Sequence, residues 1–455
     1  MNSKELIFLV VTGFSISVIP GYSQVEIKGT GTTSATKTLI TKNSNSDTSV
    51  LVRDDGRVGI GTTSPTQKLE VNGMIYSATG GFKCPDGTII TSSSYAKVYT
   101  VAQSGGDFTS IQAAISACGA PSPANRCLVR VMPGLYNDLF VNCQKFVDLR
   151  GSGKHSCIIA GTVNAADSIL IEQFTMMRGI LCNGVSPCIL NNIITRTDGP
   201  SAIGINVSNQ GHPWIDGNEV LDCTGYGIIC NGQKSDARIT NNKIRRNGAG
   251  GIRCQDASPS IQNNEIDSNA FYGIYLAGAD LTPANPTISG NVVANTTDPS
   301  STGIGISISF VGEAYIFANK IYRNDCGIEI DPPAQPCILS NEIVFNVIAG
   351  IRCYSSGSTK RVVIMGNHIH SNTGSSGPNA AGVWILNCNP VITHNNISMN
   401  RRSGPGSTFP DIDYSGCFST YPMISLNVFD YISKSTPTTA GGSYNVTSAG
   451  AAITP

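Results

Sequence analysis

Residues 238–277 read RITNNKIRRNGAGGIRCQDASPSIQNNEIDSNAFYGIYLA, and one phrase occurs in them twice, as Ile239-Thr240-Asn241-Asn242-Lys243-Ile244 and as Ile261-Gln262-Asn263-Asn264-Glu265-Ile266. After each phrase comes a further Asn and then Gly-Ile, at Gly251-Ile252 and Gly273-Ile274. Outward from this stretch, I-x-x-N-x-[I/V/F] recurs with its first Ile at 189, 215, 239, 261, 288, 316, 338, 364, 392 and 424, ten copies spaced 22 to 32 residues apart. Gly-Ile returns likewise at Gly227-Ile228, Gly327-Ile328 and Gly350-Ile351. A unit of this length holds two or three short strands and cannot bury its apolar face alone. Stacked units pair their backbones with their neighbours and align identical side chains in ladders. The Asn of each phrase, at Asn192, Asn218, Asn242, Asn264, Asn291, Asn319, Asn341, Asn367, Asn395 and Asn427, suits such a ladder. It tolerates a left-handed corner, and its amide both donates and accepts.

Two other repeat folds compete. Leucine-rich repeats need an L-x-x-L-x-L pattern and propellers need units of about 40 residues. Neither fits, and the expected fold is all-β, a right-handed parallel β-helix over residues 99–432. At the strand spacing of about 4.8 Å, ten coils extend about 48 Å. The chain of 455 residues carries 30 Lys+Arg against 30 Asp+Glu, with 49 Gly and 13% charged residues. That charged share is roughly half the globular average of about 25%, as expected of stacked strands with Gly and Asn at the corners. Zero net charge argues against nucleic acid as a partner.

At the N-terminus, Lys4 precedes an apolar run from Leu6 to Ile19, then Pro20, Gly21 and Ser23. This reads as a secretory signal peptide over residues 1–23 and predicts an exported protein. The run is short of the roughly 20 residues a membrane-spanning helix needs, so no span is expected. No Cys in or just after the leader offers a lipid-anchoring thiol. Residues 24–98 are rich in Ser, Thr and Gly, with brief alternations such as Ser49-Val50-Leu51-Val52-Arg53 followed by Asp54-Asp55-Gly56. They predict short strands and tight turns, or else a flexible linker. Residues 433–455, again Ser-, Thr-, Gly- and Ala-rich, predict a loose cap or tail.

From Val98 a strand leads to Phe108-Thr109-Ser110-Ile111-Gln112-Ala113-Ala114-Ile115, whose Phe108, Ile111, Ala114 and Ile115 share one helical face, with Thr109 or Ser110 as the cap. Cys118 and Cys127 bracket the following Gly/Pro-rich loop and are the disulfide candidates among 15 Cys. No C-x-x-C pair occurs and the five His are scattered, so neither a metal nor a cofactor is expected.

Three resemblances add to this reading. Val58-Gly59-Ile60-Gly61 with Pro65, Leu69 and Val71-Asn72-Gly73, followed by Gly80-Gly81-Phe82-Lys83-Cys84-Pro85-Asp86-Gly87-Thr88, resembles a module of bacterial tail-fibre-like and cell-surface stalks. The resemblance implies an oligomerisation segment of the kind that forms homotrimers, although Cys84 stands where the module usually has an apolar or aromatic residue. The stretch from Gly106-Asp107-Phe108 to Ile115, with Pro133-Gly134-Leu135-Tyr136 and Leu149 to Gly153, resembles the opening of pectin methylesterases and other pectin-lyase-like proteins, where a helix caps the β-helix. The repeat itself is similar to that of pectin-lyase-like proteins, including the NosD-like group and C5-epimerases of alginate. Many activities share it. The Q-D-T and D-F-I-F-G motifs of the esterases, the R-x-K of polygalacturonases and the D-P-H of alginate epimerases do not occur here, and the polygalacturonases' paired Asp-Asp is missing from the repeat region, the one such pair, Asp54-Asp55, lying in the N-terminal segment.

Alternation on the strand after each Gly-Ile places Cys182, Val207, Cys230, Cys254, Leu276, Ile308, Ile330, Cys353 and Ile385 inside, the Cys among them as small core hydrophobes. The facing-out stripe carries Arg253, Tyr275, Glu329, Arg352 and Trp384, with Asp331 and Tyr354 two residues on. Rings stack on sugars and Arg pairs with uronate carboxylates, so Arg253, Tyr275, Tyr354 and Trp384 are candidate substrate-binding residues. Glu329, Asp331 and Arg352 are the candidate catalytic set. The sequence therefore supports a secreted or cell-surface β-helix protein that is structural or binds polysaccharide. The alternative is a lyase, hydrolase or C5-epimerase acting on an acidic polysaccharide.

Overall fold

The computed structural model describes residues 15–18, 25–28, 37–43, 48–66, 68–71, 82–83 and 89–90 of the N-terminal part, residues 95–434 except 197, 279–283, 299–302, 310–311, 332, 355–361, 373–380, 401–410, 415–421 and 430–431, and residues 445–446 and 452–453. The chain forms two compact units, Met1–Ser93 and Ser94–Pro455. Most of the expected leader, most of the region Gly73–Thr88 and most of the tail lie outside the described residues.

The first unit contains a small sheet of Lys37–Lys42, Thr48–Arg53, Val58–Ile60 and Leu69–Val71, antiparallel except for its last pair. The turn after Arg53 closes with the Gly56 amide donating to the Arg53 carbonyl, and Gly56 has φ +80°, the left-handed region open to glycine. Leu51 is its buried centre. Ser15–Val18 pair with Val25–Lys28, and Phe82–Lys83 with Ile89–Ile90.

The second unit is a parallel β-helix. Each coil contributes one strand to each of three sheets. Cys127–Val131 opens a coil in the first sheet, Gly134–Tyr136 continues it in the second, and Phe140–Asn142 completes it in the third. The first sheet runs on to Met423–Ser425 and the third to Ile432–Lys434. The repeat phrase spans the first corner: its leading Ile lies in the first sheet, its Asn at the bend and its last apolar residue in the second sheet. Ile189, Ile215, Ile239, Ile261 and Ile288 are in register from coil to coil, as are Ile316, Ile338, Ile364, Ile392 and Ile424, and all are fully buried. Full burial of one such side chain contributes about 1.5–3 kcal/mol.

Between the Ile rows runs the Asn ladder. In each rung the amide group of one Asn donates to the side-chain oxygen of the next, as from Asn242 to Asn264 at 3.0 Å and from Asn319 to Asn341 at 3.0 Å. The same oxygen also accepts the backbone N–H of the Asn below, at 2.9 Å in both cases. A second buried ladder, at Asn247, Asn269, Asn324, Asn346, Asn372 and Asn400, turns the chain from the second sheet into the third, with Thr296 in place of Asn in one coil. The glycine before each third-sheet Ile sits against the carbonyl of the next coil. At Gly305 an added Cβ would lie 2.6 Å from the Gly327 oxygen, so no side chain fits.

The helix Ile111–Ala117 covers the first coil with Ile111, Ala114 and Ile115 buried. Ser110 caps it by accepting from the Ala113 amide, and Asp138 accepts from the Ile111 amide at 3.0 Å. Cys118 and Cys127 form a disulfide beside it, with Cα atoms 6.0 Å apart. One inward cysteine departs from the core-hydrophobe expectation: Cys353 is bonded to Cys388, Cα to Cα 6.4 Å. Asn387, at φ +52°, turns the chain back after the strand Ala381–Leu386 and brings the buried Cys388 beneath it. Cys182, Cys230 and Cys254 are free and buried. No helix among the described residues is long and apolar enough to cross a membrane.

Candidate functional site

The six-residue strands of the third sheet present two outward rows. In the first, register aligns Arg253 with Tyr275, then Ser307, Glu329, Arg352, Trp384 and Asp413. In the second, Gln255 aligns with Ala277, Ser309 and Asp331. These positions face out because strand side chains alternate and the Ile and Cys between them fill the interior.

At the centre, Glu329 and Arg352 form an ion pair with side chains only 12% and 11% exposed. Asp331 lies on the same strand and the same face as Glu329, which sets their Cα atoms roughly 7 Å apart. One Asp331 oxygen accepts from Ser309 Oγ at 2.8 Å. Burial raises the Glu329 carboxyl above its ordinary value of 4.5, and the Asp331 charge adds to this, against the opposing pull of Arg352. Desolvation outweighs the guanidinium because the carboxyl has lost most of its water.

Aromatic groups flank this centre on both sides. Arg352 lies over the Tyr354 ring at 5.5 Å, and Tyr354 meets Trp384 edge-to-face at 5.1 Å. Trp384 is only 5% exposed, so its ring packs as a wall of the site and is not an open platform. On the other side Tyr272 and Tyr275 stack at 4.6 Å. Burial, followed by the nearby Tyr275, Glu329 and Asp331, raises the Tyr272 hydroxyl. Burial also pushes Tyr354 up to about 12, with Arg352 opposing and Glu329 reinforcing the shift. Further along, the Arg253 guanidinium lies 5.8 Å from the Tyr226 ring centre and 5.9 Å from that of Tyr275, and donates to Gln255 Oε1 at 2.6 Å. Gly250 makes room for Tyr226, since a Cβ there would stand 2.6 Å from the ring.

The structure thus brings Glu329, Asp331, Arg352, Tyr354 and Trp384 into one cluster and sets Arg253 and Tyr275 beside it. Sequence reading missed Tyr226, Tyr272 and Ser309. The two tyrosines had a signal, since each directly precedes a Gly-Ile corner. It also missed a small buried cluster of Ile304, Cys326 and Ala349, against which Tyr272 packs. Burial pushes the Cys326 thiol up to about 12. A carboxyl that keeps its proton above the usual range, a second carboxylate and a guanidinium together can donate a proton, accept one and hold an anion. Among the described residues no group of three or more His, Cys, Asp and Glu side chains could hold a metal ion. A separate cavity of about 300 Å³, lined by Glu265, Asp267, Val292 and Tyr322 among others, opens on the second sheet.

No curated protein matches the chain. Among solved structures it is similar to the Dettilon tailspike protein gp208, at 15% identity over 70% of each chain with a TM-score of 0.47. It is similar to the catalytic unit of the GH87 alpha-1,3-glucanase of Streptomyces thermodiastaticus strain HF3-3, at 14% identity over 68% of this chain and 63% of that one, TM-score 0.45. The A-module of the Azotobacter vinelandii mannuronan C-5 epimerase AlgE6 matches at 16% identity over 76% of this chain and 94% of that one, TM-score 0.35. The family described as the right handed beta helix region matches residues 137–293 and 259–377, which together span more than half of the sequence, and the chain belongs to that family.

Proposed function

We propose that this is an exported enzyme that acts on an acidic polysaccharide lying along the outward face of the third sheet, with Glu329 as its proton-transfer group. The observation that carries this reading is the Glu329 carboxyl, which burial and Asp331 raise above the ordinary range while it touches Arg352. Perturbed carboxyls of this kind concentrate at reacting centres. Arg352 suits the carboxylate of a uronate sugar, Asp331 supplies a second carboxyl on the same face of the same strand, and the Tyr272/Tyr275 pair and Tyr354 suit sugar faces, with Trp384 as the wall behind Tyr354. Cleavage by elimination, hydrolysis and C5 epimerisation all need proton transfer at one carbon or oxygen, which this set provides. Export rests on the leader-like Lys4 and the apolar run Leu6 to Ile19.

A second reading is polysaccharide binding without turnover. The direct ion pair supports it, since Arg352 occupies one Glu329 oxygen. Incubation with pectate, alginate and sulfated glycans, followed by unsaturated-product absorbance, reducing-end release and proton NMR of the product, separates the two. Turnover that is lost in Glu329→Gln while binding persists supports the enzyme. Full activity in Glu329→Gln refutes the assignment, and retention of glycan with no product in any assay leaves binding as the function.

A further inference from the structure

Arg253 stands apart from the other buried or half-buried arginines of the coils. Arg126, Arg196 and Arg352 each meet a carboxylate. Among the described residues none pairs with Arg253. Its guanidinium is held between the Tyr226 and Tyr275 rings, Nη2 is committed to Gln255 Oε1, and Nε is buried with no hydrogen-bond partner. A cation that has lost water without gaining a counter-charge is costly unless a ligand supplies one. The two flanking rings restrain the guanidinium, whose Nη groups are the donors that an oxyanion can reach.

We infer that Arg253 is a second anion receptor, which binds the oxyanion of an acidic sugar, a uronate carboxylate or a sulfate ester, distant from the reacting residue. Register counts three strand steps from Arg253 through Tyr275 and Ser307 to Glu329, a distance of about 14 Å along the axis. An extended glycan advances by roughly one strand spacing per sugar, so Arg253 and Glu329 engage units roughly three sugars apart. Between them Ala277, Ser307 and Ser309 carry small side chains, and Ser307 and Ser309 are buried beside their larger neighbours. The ligand is therefore a chain of at least four sugars that carries negative charge at more than one position.

This inference rests on the third-sheet face being the glycan site, and its test is equilibrium binding to the full-length chain, which needs no turnover. The probes are a galacturonate dimer and hexamer, the fully methyl-esterified hexamer, and a chondroitin sulfate hexasaccharide, measured by calorimetry in the Glu329→Gln background. Arg253→Gln is expected to weaken an acidic hexamer about tenfold or more, equivalent to about 1.4 kcal/mol, and to flatten its salt dependence. The acidic dimer and the neutral hexamer keep their affinities. Arg253→Lys, which retains the charge without the planar fork, falls between Gln and the parent and serves if Arg253→Gln unfolds early. A response of the galacturonate hexamer assigns carboxylate capture, and a response of the chondroitin sulfate hexasaccharide alone, which carries uronates as well as sulfates, assigns sulfate. The inference is overturned if both Arg253 variants bind acidic hexamers like the parent, if acidic and neutral ligands weaken equally, or if the parent binds neither acidic hexamer. A failed turnover assay with these affinity differences intact would count against Glu329 and not against Arg253.

Discussion

Asn319→Ala removes the middle of the first-corner ladder. Its amide donates to Ile288 O at 2.9 Å, Phe317 O at 3.1 Å and Asn341 Oδ1 at 3.0 Å, and its oxygen accepts from the Asn291 backbone N–H at 2.9 Å and side-chain amide at 3.0 Å. Two of the partners keep a bond after truncation, since the Asn291 amide group still reaches Ile261 O and Asn341 Oδ1 still accepts the Asn319 backbone N–H. The Asn291 backbone N–H does not, and is left buried without its acceptor. One orphaned donor costs about 1–3 kcal/mol, and the weakened carbonyls bring the total to about 2–4 kcal/mol. Because a stacked array need not unfold in one step, the local measurement is the decisive one. Amide exchange at Asn291 should accelerate about 30- to 700-fold, the factor that corresponds to that range. Lys320→Ala, at an exposed position in the same coil, should stay within about 0.5 kcal/mol of the parent in a denaturant titration. If the Asn291 amide of Asn319→Ala exchanged within threefold of the parent, the ladder would not be what holds the corner.

Two further outcomes are expected. Gly305→Ala forces a methyl group to 2.6 Å from Gly327 O and 2.9 Å from the Asn324 amide, and should lower stability by about 1–3 kcal/mol or prevent soluble expression; a thermal midpoint equal to that of the parent would contradict the packing. Glu329 has a folded-state pKa above its unfolded value, so its contribution to stability is full below the unfolded pKa and is lost as pH rises through the folded one. The melting temperature of the parent relative to Glu329→Gln should therefore fall from acid to neutral pH, and activity that needs the protonated carboxyl should fall in the same window. A difference between the two proteins that is constant across that window would show that the carboxyl is not raised.

The sequence alone determined the coil. Strand alternation and coil stacking are both short-range periodicities, so the recurring Ile, Asn and Gly announce which side chains must repeat in space before any coordinates are known. The capping helix was equally legible, because Ser110 and the Ile111–Ala114–Ile115 face are local features. The site was legible only as a list of outward residues. Coils of unequal length align side chains whose sequence separations vary from rung to rung, and what each one meets depends on its neighbours above and below. Tertiary structure alone decided that Trp384 is a covered wall, that Cys353 is bonded to Cys388, and that desolvation prevails over Arg352 at Glu329. It likewise left Arg253 clamped between two rings with an unanswered charge. Burial and pairing are sums over neighbours from several coils, and no single stretch of chain contains them.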